Sequence, residues 1–402
     1  MTRMRKNIDH SCGPKNIRPD NHNLKMIFAL TLVHFTGDFY SSFINPLMPV
    51  FVDHFSLTLT QVGIITGISR FLAFVVQPPI GYIADHYKTR IFILGGPFLV
   101  IILTSLMGIA PTFWMLVIVV ALGSIGSSMF HPTVAGMIST YSGRNIGFSL
   151  SVFNMGGTLA FGVGPLFITW FVATYGLKSM PITMILGLVV MGYLYVTVPA
   201  PECEGLKDFG LIGSIREVFG SVWKPIILIW LIMASRAFVS QSLLTYLPVH
   251  YARQGYSLVS IGGVVSLFTI AGAFSGLIAG HLSDRIGFKP VFYGAHLLTT
   301  PAIYVMLNVP GNWLYLNTFI TGAFALATLP LGVALAQKLA PKGKSMASSL
   351  MMGFAIGTGG VMTPITGKLA DMFSIAPVLN VIAILPVLTM ALIYLLPKET
   401  SA

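Results

Sequence analysis

Four ionisable residues stand in stretches that are otherwise apolar for about twenty residues: His34, Asp38, Arg70 and Arg236. His34 and Asp38 are four apart, so on a helix they share one face. An imidazole and a carboxylate so placed can bind and release a proton. Burial favours the neutral acid, a nearby cation favours the ionised one, and an entering ligand can switch which effect wins. The competing reading pairs Asp38 with Arg70 as an ion pair that only fixes packing. Arg70 and Arg236 call for a second kind of chemistry. With His34 neutral, two guanidinium groups face one carboxylate, and one positive charge is left without a partner in the chain. The planar fork of arginine suits a carboxylate, phosphate or phosphonate, which predicts a ligand with at least one acidic group. The alternative is that Arg236 snorkels or bonds helix carbonyls. His131, directly before Pro132, is either a gate or proton relay or a structural residue at a helix end closed or kinked by the proline. Tyr40, Asn45, Gln77, Asn154, Gln241 and Tyr246 are polar residues able to line a cavity.

Those residues must be carried by elements built for lipid. Of 402 residues, 55% are hydrophobic and 9% charged, where a soluble chain carries roughly a quarter charged. Twelve apolar stretches are long enough to cross a bilayer as helices: 26–52, 58–84, 91–109, 112–134, 146–172, 179–198, 225–247, 258–283, 290–308, 313–337, 345–370 and 375–397. An ionisable group at the centre of such a span costs on the order of 3 kcal/mol, so each one asks for a functional reason. The alternating ten-residue strands of a membrane barrel are missing from the pattern. Two cysteines, Cys12 and Cys203, lie far apart in polar segments, which argues against a disulfide framework or a metal cluster.

The net charge of +11 has a topological reading. With the polar segment 1–25 in the cytoplasm, eighteen of the 23 Lys and Arg residues share its side, among them Lys88, Arg90, Lys207, Arg285, Lys289 and Lys344. Lys178, Arg253 and Lys368 fall opposite, and Arg70 and Arg236 lie within spans. The positive-inside rule then puts both termini in the cytoplasm. Nucleic-acid binding is not needed to explain the basic balance. The longest connection, 199–224, divides six spans (26–198) from six (225–397), leaving 398–402 as a short C-terminal end.

The two halves repeat. Gly81-x-x-x-Asp85 returns as Gly280-x-x-x-Asp284, and the same offset of 199 maps Gly63 onto Gly262, Gly123 onto Gly322, Ser149 onto Ser348 and Pro165 onto Pro364. Six being even, both halves enter the membrane from the same side, so the repeat is parallel about an axis along the membrane normal. The loop G-x-x-x-D-x-x-x-(K/R), its copy and the six-plus-six topology resemble the major facilitator superfamily over the whole chain. Within it, His34-Phe-Thr-Gly-Asp38, Gln77-Pro78-x-x-Gly81-Tyr82, Gly126-Ser-Ser-x-Phe130-His131-Pro132, and Gly156-Gly157 followed by Gly164-Pro165 resemble the fosmidomycin resistance branch of drug efflux proteins.

That resemblance implies an all-α integral membrane fold of two six-helix bundles that work by alternating access. It implies that Gly81, Asp85, Lys88 and Arg90, mirrored by Gly280, Asp284, Arg285 and Lys289, bracket a cytoplasmic gate. It also implies that Gly156, Gly157, Gly162, Gly164 and Pro165 form a glycine-rich packing motif that lets the fifth and eighth spans approach closely. The sequence departs from the family pattern at His86, Tyr87, Leu166 and Phe167, and Arg70 stands where the branch carries a neutral polar residue. The functional expectation is proton-coupled export of a small, acidic organic molecule across the inner membrane, with uptake by symport left open because it would use the same residues. Asp38, His34 and His131 would handle the proton. The proton gradient supplies the energy, no cofactor is called for, and a monomer in the bilayer with its small-molecule substrate and protons is sufficient. An enzyme is disfavoured: Gly343-Lys344-Ser345 lacks the rest of a phosphate loop, and H-E-x-x-H and G-x-S-x-G are missing. A channel would want a continuous polar ring, which these few, asymmetric groups do not form.

Overall fold

The computed structural model describes residues 23–86, 90–143, 146–200, 219–220, 222–309, 311–340, 347 and 350–396. Among the described residues every regular element is helical, as a bilayer requires of a chain that must satisfy its backbone groups internally. The helices are α1 Leu24–Ser41, α2 Met48–Phe55, α3 Leu59–His86, α4 Gly96–Leu106, α5 Phe113–Tyr141, α6 Ile146–Tyr175, α7 Met184–Thr197, α8 Trp223–Arg253, α9 Leu258–Ile286, α10 Phe288–Asn308, α11 Leu314–Leu326, α12 Leu329–Leu339, α13 Ile356–Val361, α14 Thr363–Phe373, α15 Ile375–Ile382 and α16 Leu385–Leu395. Wide turns at Ile91–Gly95 and Leu350–Ala355 lead into α4 and α13.

Eleven segments are long and apolar enough to cross a membrane among the described residues. The first expected span, 26–52, behaves differently. It divides into α1 and α2 around a turn at 42–47, where Pro46 lacks an N–H and biases Asn45 away from helix. Lys25, His34 and Asp38 lower the apolar content of α1. Local sequence sets the starts of several helices: Asn23 Oδ1 accepts from Met26 N at 3.1 Å, Thr112 Oγ1 from Met115 N at 3.2 Å, and Ser257 Oγ from Ser260 N at 3.2 Å. Of the two readings of Pro132, an end or a kink in the fourth span, the end is corrected: α5 runs through it to Tyr141, since neighbouring groups in a packed bundle make up for one missing donor.

Packing groups the described residues into two compact units, those within 1–44, 75–164 and 174–208, and those within 45–74, 165–173 and 209–402. In the first unit α1, α4, α5 and α7 pack together. In the second, Ile229, Ile232 and Met233 of α8, Phe292 of α10, Leu331 of α12 and Ile393 of α16 share one core. This grouping differs from a cut at the central loop: parts of the second and fifth spans, 45–74 and 165–173, pack in the second unit. Residues 1–22 of the expected tail, most of the loop 199–224, and 398–402 lie outside the described residues.

The repeat is visible in side-chain contacts within each unit. Arg90 Nη1 donates to Tyr195 O at 3.4 Å in the first, and Lys289 Nζ donates to Tyr394 O at 3.1 Å in the second. Both members of these two pairs are related by the offset of 199 read from the sequence.

Candidate functional site

Asp38 projects from the middle of α1 and is 3% exposed. Its two oxygens meet two different histidines: Oδ2 lies 3.0 Å from His34 Nε2, one helical turn away, and Oδ1 lies 3.1 Å from His131 Nε2 of α5. The other nitrogen of each ring is committed. His34 Nδ1 is 3.0 Å from Phe153 O of α6, and His131 Nδ1 is 2.7 Å from Ser127 O, one turn back on its own helix. A carbonyl oxygen can only accept, so both Nδ1 atoms carry hydrogen. Each Nε2 therefore presents a bare lone pair to the carboxylate unless it, or the acid, is protonated. The cluster is at ease only when it holds protons, up to one at each contact.

The surroundings fix this geometry. The His34 ring stacks on Phe153 at 4.0 Å between centroids, and the two histidine rings meet edge to face at 5.2 Å. Gly157 of α6 leaves room for the cluster: a Cβ there would fall 2.7 Å from His34 Nε2 and 2.9 Å from Asp38 Oδ2. His34 is nearly as closed off as Asp38, whereas the His131 side chain is 30% exposed and is the least enclosed of the three. The three donor atoms lie within 4.8 Å of one another, a set that a divalent ion would also accept.

The alternative partner for Asp38, Arg70, lies in the second unit with its stem against Gly360. Arg236 of α8 is 7% exposed, and its Nη1 reaches Ala325 O at 3.3 Å while Nε has no hydrogen-bond partner. It lines a narrow pocket with Ser235, His296, Thr299 and Thr328. His296 was not singled out in the sequence, although it is an ionisable residue inside the span 290–308 and the rule that flagged Arg236 applies to it equally. Phe153, Ser127 and the close-packing role of Gly157 were also missed, because they act through backbone atoms or by lacking a side chain.

The remaining expected residues separate by what they touch. Tyr40 OH donates to Thr183 O and accepts from Gly187 N at 2.9 Å, so it ties α1 to α7 and is not free to line a cavity. Tyr246 OH bonds Thr363 O at 2.8 Å and Leu59 O at 3.2 Å and is likewise engaged. Gln241 is buried with Oε1 unpartnered, Asn45 and Gln77 are half-buried, and Asn154 is exposed. Gly156 packs on Thr31 and Gly164 on Phe39 O and Ser42, so with Gly157 the glycine run forms a close seam with α1, a partner the sequence did not indicate. Gly162 is buried. The approach expected between the fifth and eighth spans is made by Pro165, whose carbonyl would lie 2.8 Å from a Cβ at Gly262.

Of the gate motif, Lys88 lies outside the described residues, as do the side chains of Gly81 and Asp85. Arg90 and Lys289 bond helix-end carbonyls, Asp284 and Arg285 are exposed, and Gly280 has open space around it.

Comparison with known proteins gives a consistent frame. The family model described as Major Facilitator Superfamily matches residues 30–345 and 255–402. The chain is 27% identical over 373 residues to the fosmidomycin resistance protein of Escherichia coli K12, covering 91% of each chain. It is 25% identical over 311 residues to the multidrug resistance protein MdtG of Citrobacter koseri, covering 72% of this chain and 74% of that one. Among solved structures, a bacterial homologue of the human lysosomal transporter Spinster, in an inward-facing and occupied conformation, superposes with a TM-score of 0.78 at 18% identity, over 92% of this chain and 96% of that one. The nucleoside transporter NupG, as a D323A mutant, superposes with a TM-score of 0.76 at 14% identity, over 93% and 100%.

Proposed function

Because the chain belongs to the Major Facilitator Superfamily, and is a membrane transporter and not an enzyme, we propose that it exports a small acidic organic molecule across the inner membrane in exchange for protons. The observation that carries this reading is the buried cluster of Asp38, His34 and His131. Both histidines offer Nε2 to one carboxylate with their other nitrogens already committed, so the cluster binds and releases protons in a place where water cannot do so for it. His131 is its least enclosed member.

The acidic character of the cargo follows from Arg236, a buried cation whose protein partner is a neutral carbonyl. The names of the relatives, fosmidomycin resistance and multidrug resistance, support export over uptake. A proton entering the cell releases about 2.3 kcal/mol per 100 mV of membrane potential, with about 1.4 kcal/mol more per unit of pH difference. An anion leaving without a proton of its own moves down the same potential, so exchange of the two is then driven twice by the voltage. Uptake by symport uses the same residues and would reverse the sign of the coupled flux.

The test is the lumenal pH of proteoliposomes holding wild type or Asp38→Asn, with a chelator present to remove any bound divalent ion. They are challenged with a panel of anionic and neutral compounds that includes phosphonates. The expected result is a proton flux opposite in direction to an anionic compound, present in wild type and absent in Asp38→Asn. Flux with neutral or cationic compounds alone, or flux unaltered by the substitution, overturns the proposal; flux in the same direction as the compound establishes symport.

A further inference from the structure

We propose that the second unit carries its own proton-linked anion site, in which Arg236 binds a compact, singly charged anionic group and His296 takes up one proton at Nε2 as that group enters. The inference rests on the reading of the cargo as acidic, and it assigns to His296 a role that no part of that reading supplies.

Three features of the pocket lead to it. First, Arg236 is buried and its Nε–H has no acceptor, a costly state for a cation in a closed interior. Second, His296 of α10 is 3% exposed, and its Nδ1 is 2.9 Å from Phe292 O, so Nδ1 is the donor and Nε2 is the free end of the ring. That Nε2 also has no hydrogen-bond partner. Third, both side chains line one pocket with the hydroxyl-bearing residues Ser235, Thr299 and Thr328, and the room inside is about that of one water-sized group. A whole organic molecule does not fit, whereas a halide or the acidic head of a larger ligand asks the least outward movement of the walls.

An anion placed there is welcome to the arginine and unwelcome to a bare Nε2 lone pair. The conflict disappears when Nε2 gains a proton, which turns the second wall of the pocket from acceptor to donor. The balance is one anion and one proton in, both from solution, with no covalent change. The charged group that faces His296 is Arg236 of α8; the rest of the lining, Val239 of α8, Phe324 and Ala325 of α11 and Pro386 of α16, does not titrate. Helices α9 and α15 also pack on α10 but contribute no residue to the lining.

In the internal repeat, Arg236 corresponds to Gly37, one residue from Asp38, while Ala237 corresponds to Asp38 itself. The two halves thus differ in chemistry at this register, a carboxylate in the first and an arginine one residue from the equivalent position in the second, whereas His296 corresponds to Pro97.

The experiment uses the purified full-length protein in detergent, titrated with chloride or acetate against a background of a bulky sulfonate. Calorimetry in buffers of differing ionisation enthalpy counts the protons taken up. Wild type is expected to take up one proton per anion between the pH at which the empty site titrates and the higher pH at which the occupied site does, with affinity rising about tenfold for each unit fall in pH inside that window. His296→Gln is expected to bind without proton uptake and without that slope, and Arg236→Gln to lose binding at every pH. Should Arg236→Gln fail to fold, Arg236→Lys keeps the charge without the fork and should bind about tenfold more weakly with proton uptake retained. Gly192→Ala, at a position with open space around it, should match wild type. Wild-type binding without proton uptake, uptake retained in His296→Gln, or no anion binding at all overturns the proposal. Binding of chloride with no competition from acetate sustains the site as a halide site and overturns the acidic-cargo reading alone.

Discussion

Asp38 is held by geometry rather than by a conventional ion pair, and that makes its smallest neighbour informative. Gly157 contributes no chemistry, yet a Cβ at that position would press on His34 Nε2 and Asp38 Oδ2 together. Overpacking of this kind costs about 1–3 kcal/mol where the neighbours cannot yield. Gly157→Ala is therefore expected to lower proton-coupled flux in the proteoliposome assay by more than it lowers the melting temperature, because the atoms displaced first are those that carry the proton. Gly192→Ala, at a position with open space around it, should change neither. Equal loss in both variants, or full flux in Gly157→Ala, would show that the cluster tolerates displacement. At this scale the sequence was informative about part of the site. The spacing of His34 and Asp38 placed them on one helix face without any knowledge of the fold. His131 could be linked to them only through the packing of α5 on α1, and Phe153 enters through its carbonyl and ring, which no side-chain motif announces.

Helices carry the repeat more faithfully than side chains do. Gly63 and Gly262 are repeat mates, as are Pro165 and Pro364, and within the second unit each glycine meets the other's proline. A Cβ at Gly63 would lie 2.7 Å from Pro364 Cα and Thr363 O, and one at Gly262 would lie 2.8 Å from Pro165 O. Thr363 Oγ1 also donates to Gly63 O at 3.0 Å, and Asp371 at the far end of α14 accepts from Leu59 N at 2.7 Å and Thr60 N at 2.9 Å, at the start of α3. An acid against a helix N-terminus is a favourable placement. Two crossings with backbone as the obstacle leave an added methyl nowhere to go. Gly63→Ala and Gly262→Ala should each lower the melting temperature in detergent by several degrees, corresponding to about 1–3 kcal/mol. Gly280→Ala, in open space within a helix, should leave it unchanged or raise it by up to about 1 kcal/mol equivalent. A fall at Gly280 as large as at Gly262 would remove packing as the explanation. The offset of 199 was readable from the sequence. Which glycine meets which proline was not, because a repeat fixes equivalence between positions and says nothing about contact. The same limit explains the first span: hydropathy extends across 26–52, while Asn45-Pro46 decides locally that the helix stops.

At the scale of the whole molecule, charge is the strongest constraint on orientation, and it can be tested with groups the chain already has. On the twelve-span arrangement expected from the sequence, eighteen of 23 basic residues fall on one side and three on the other. Such a bias fixes which loops stay in the cytoplasm during insertion. Both cysteines, Cys12 and Cys203, belong to segments on the basic side, one in the N-terminal tail and one in the central connection. With an even number of spans between them, the same side must hold for both. A membrane-impermeant maleimide applied after reduction should therefore leave the protein unlabelled in intact cells and label both thiols in inverted membrane vesicles. Cys12→Ser and Cys203→Ser should each remove half of the label, which separates the two reports. Labelling of both thiols from outside inverts the topology, and with it the assignment of Arg90 and Lys289 to the cytoplasmic ends of their helices. Labelling of one thiol from each side would require an odd number of spans between residues 12 and 203, which breaks the parallel repeat. The second outcome is the more damaging, because the repeat rests on the independent evidence that Arg90 and Lys289 make the same contact 199 residues apart.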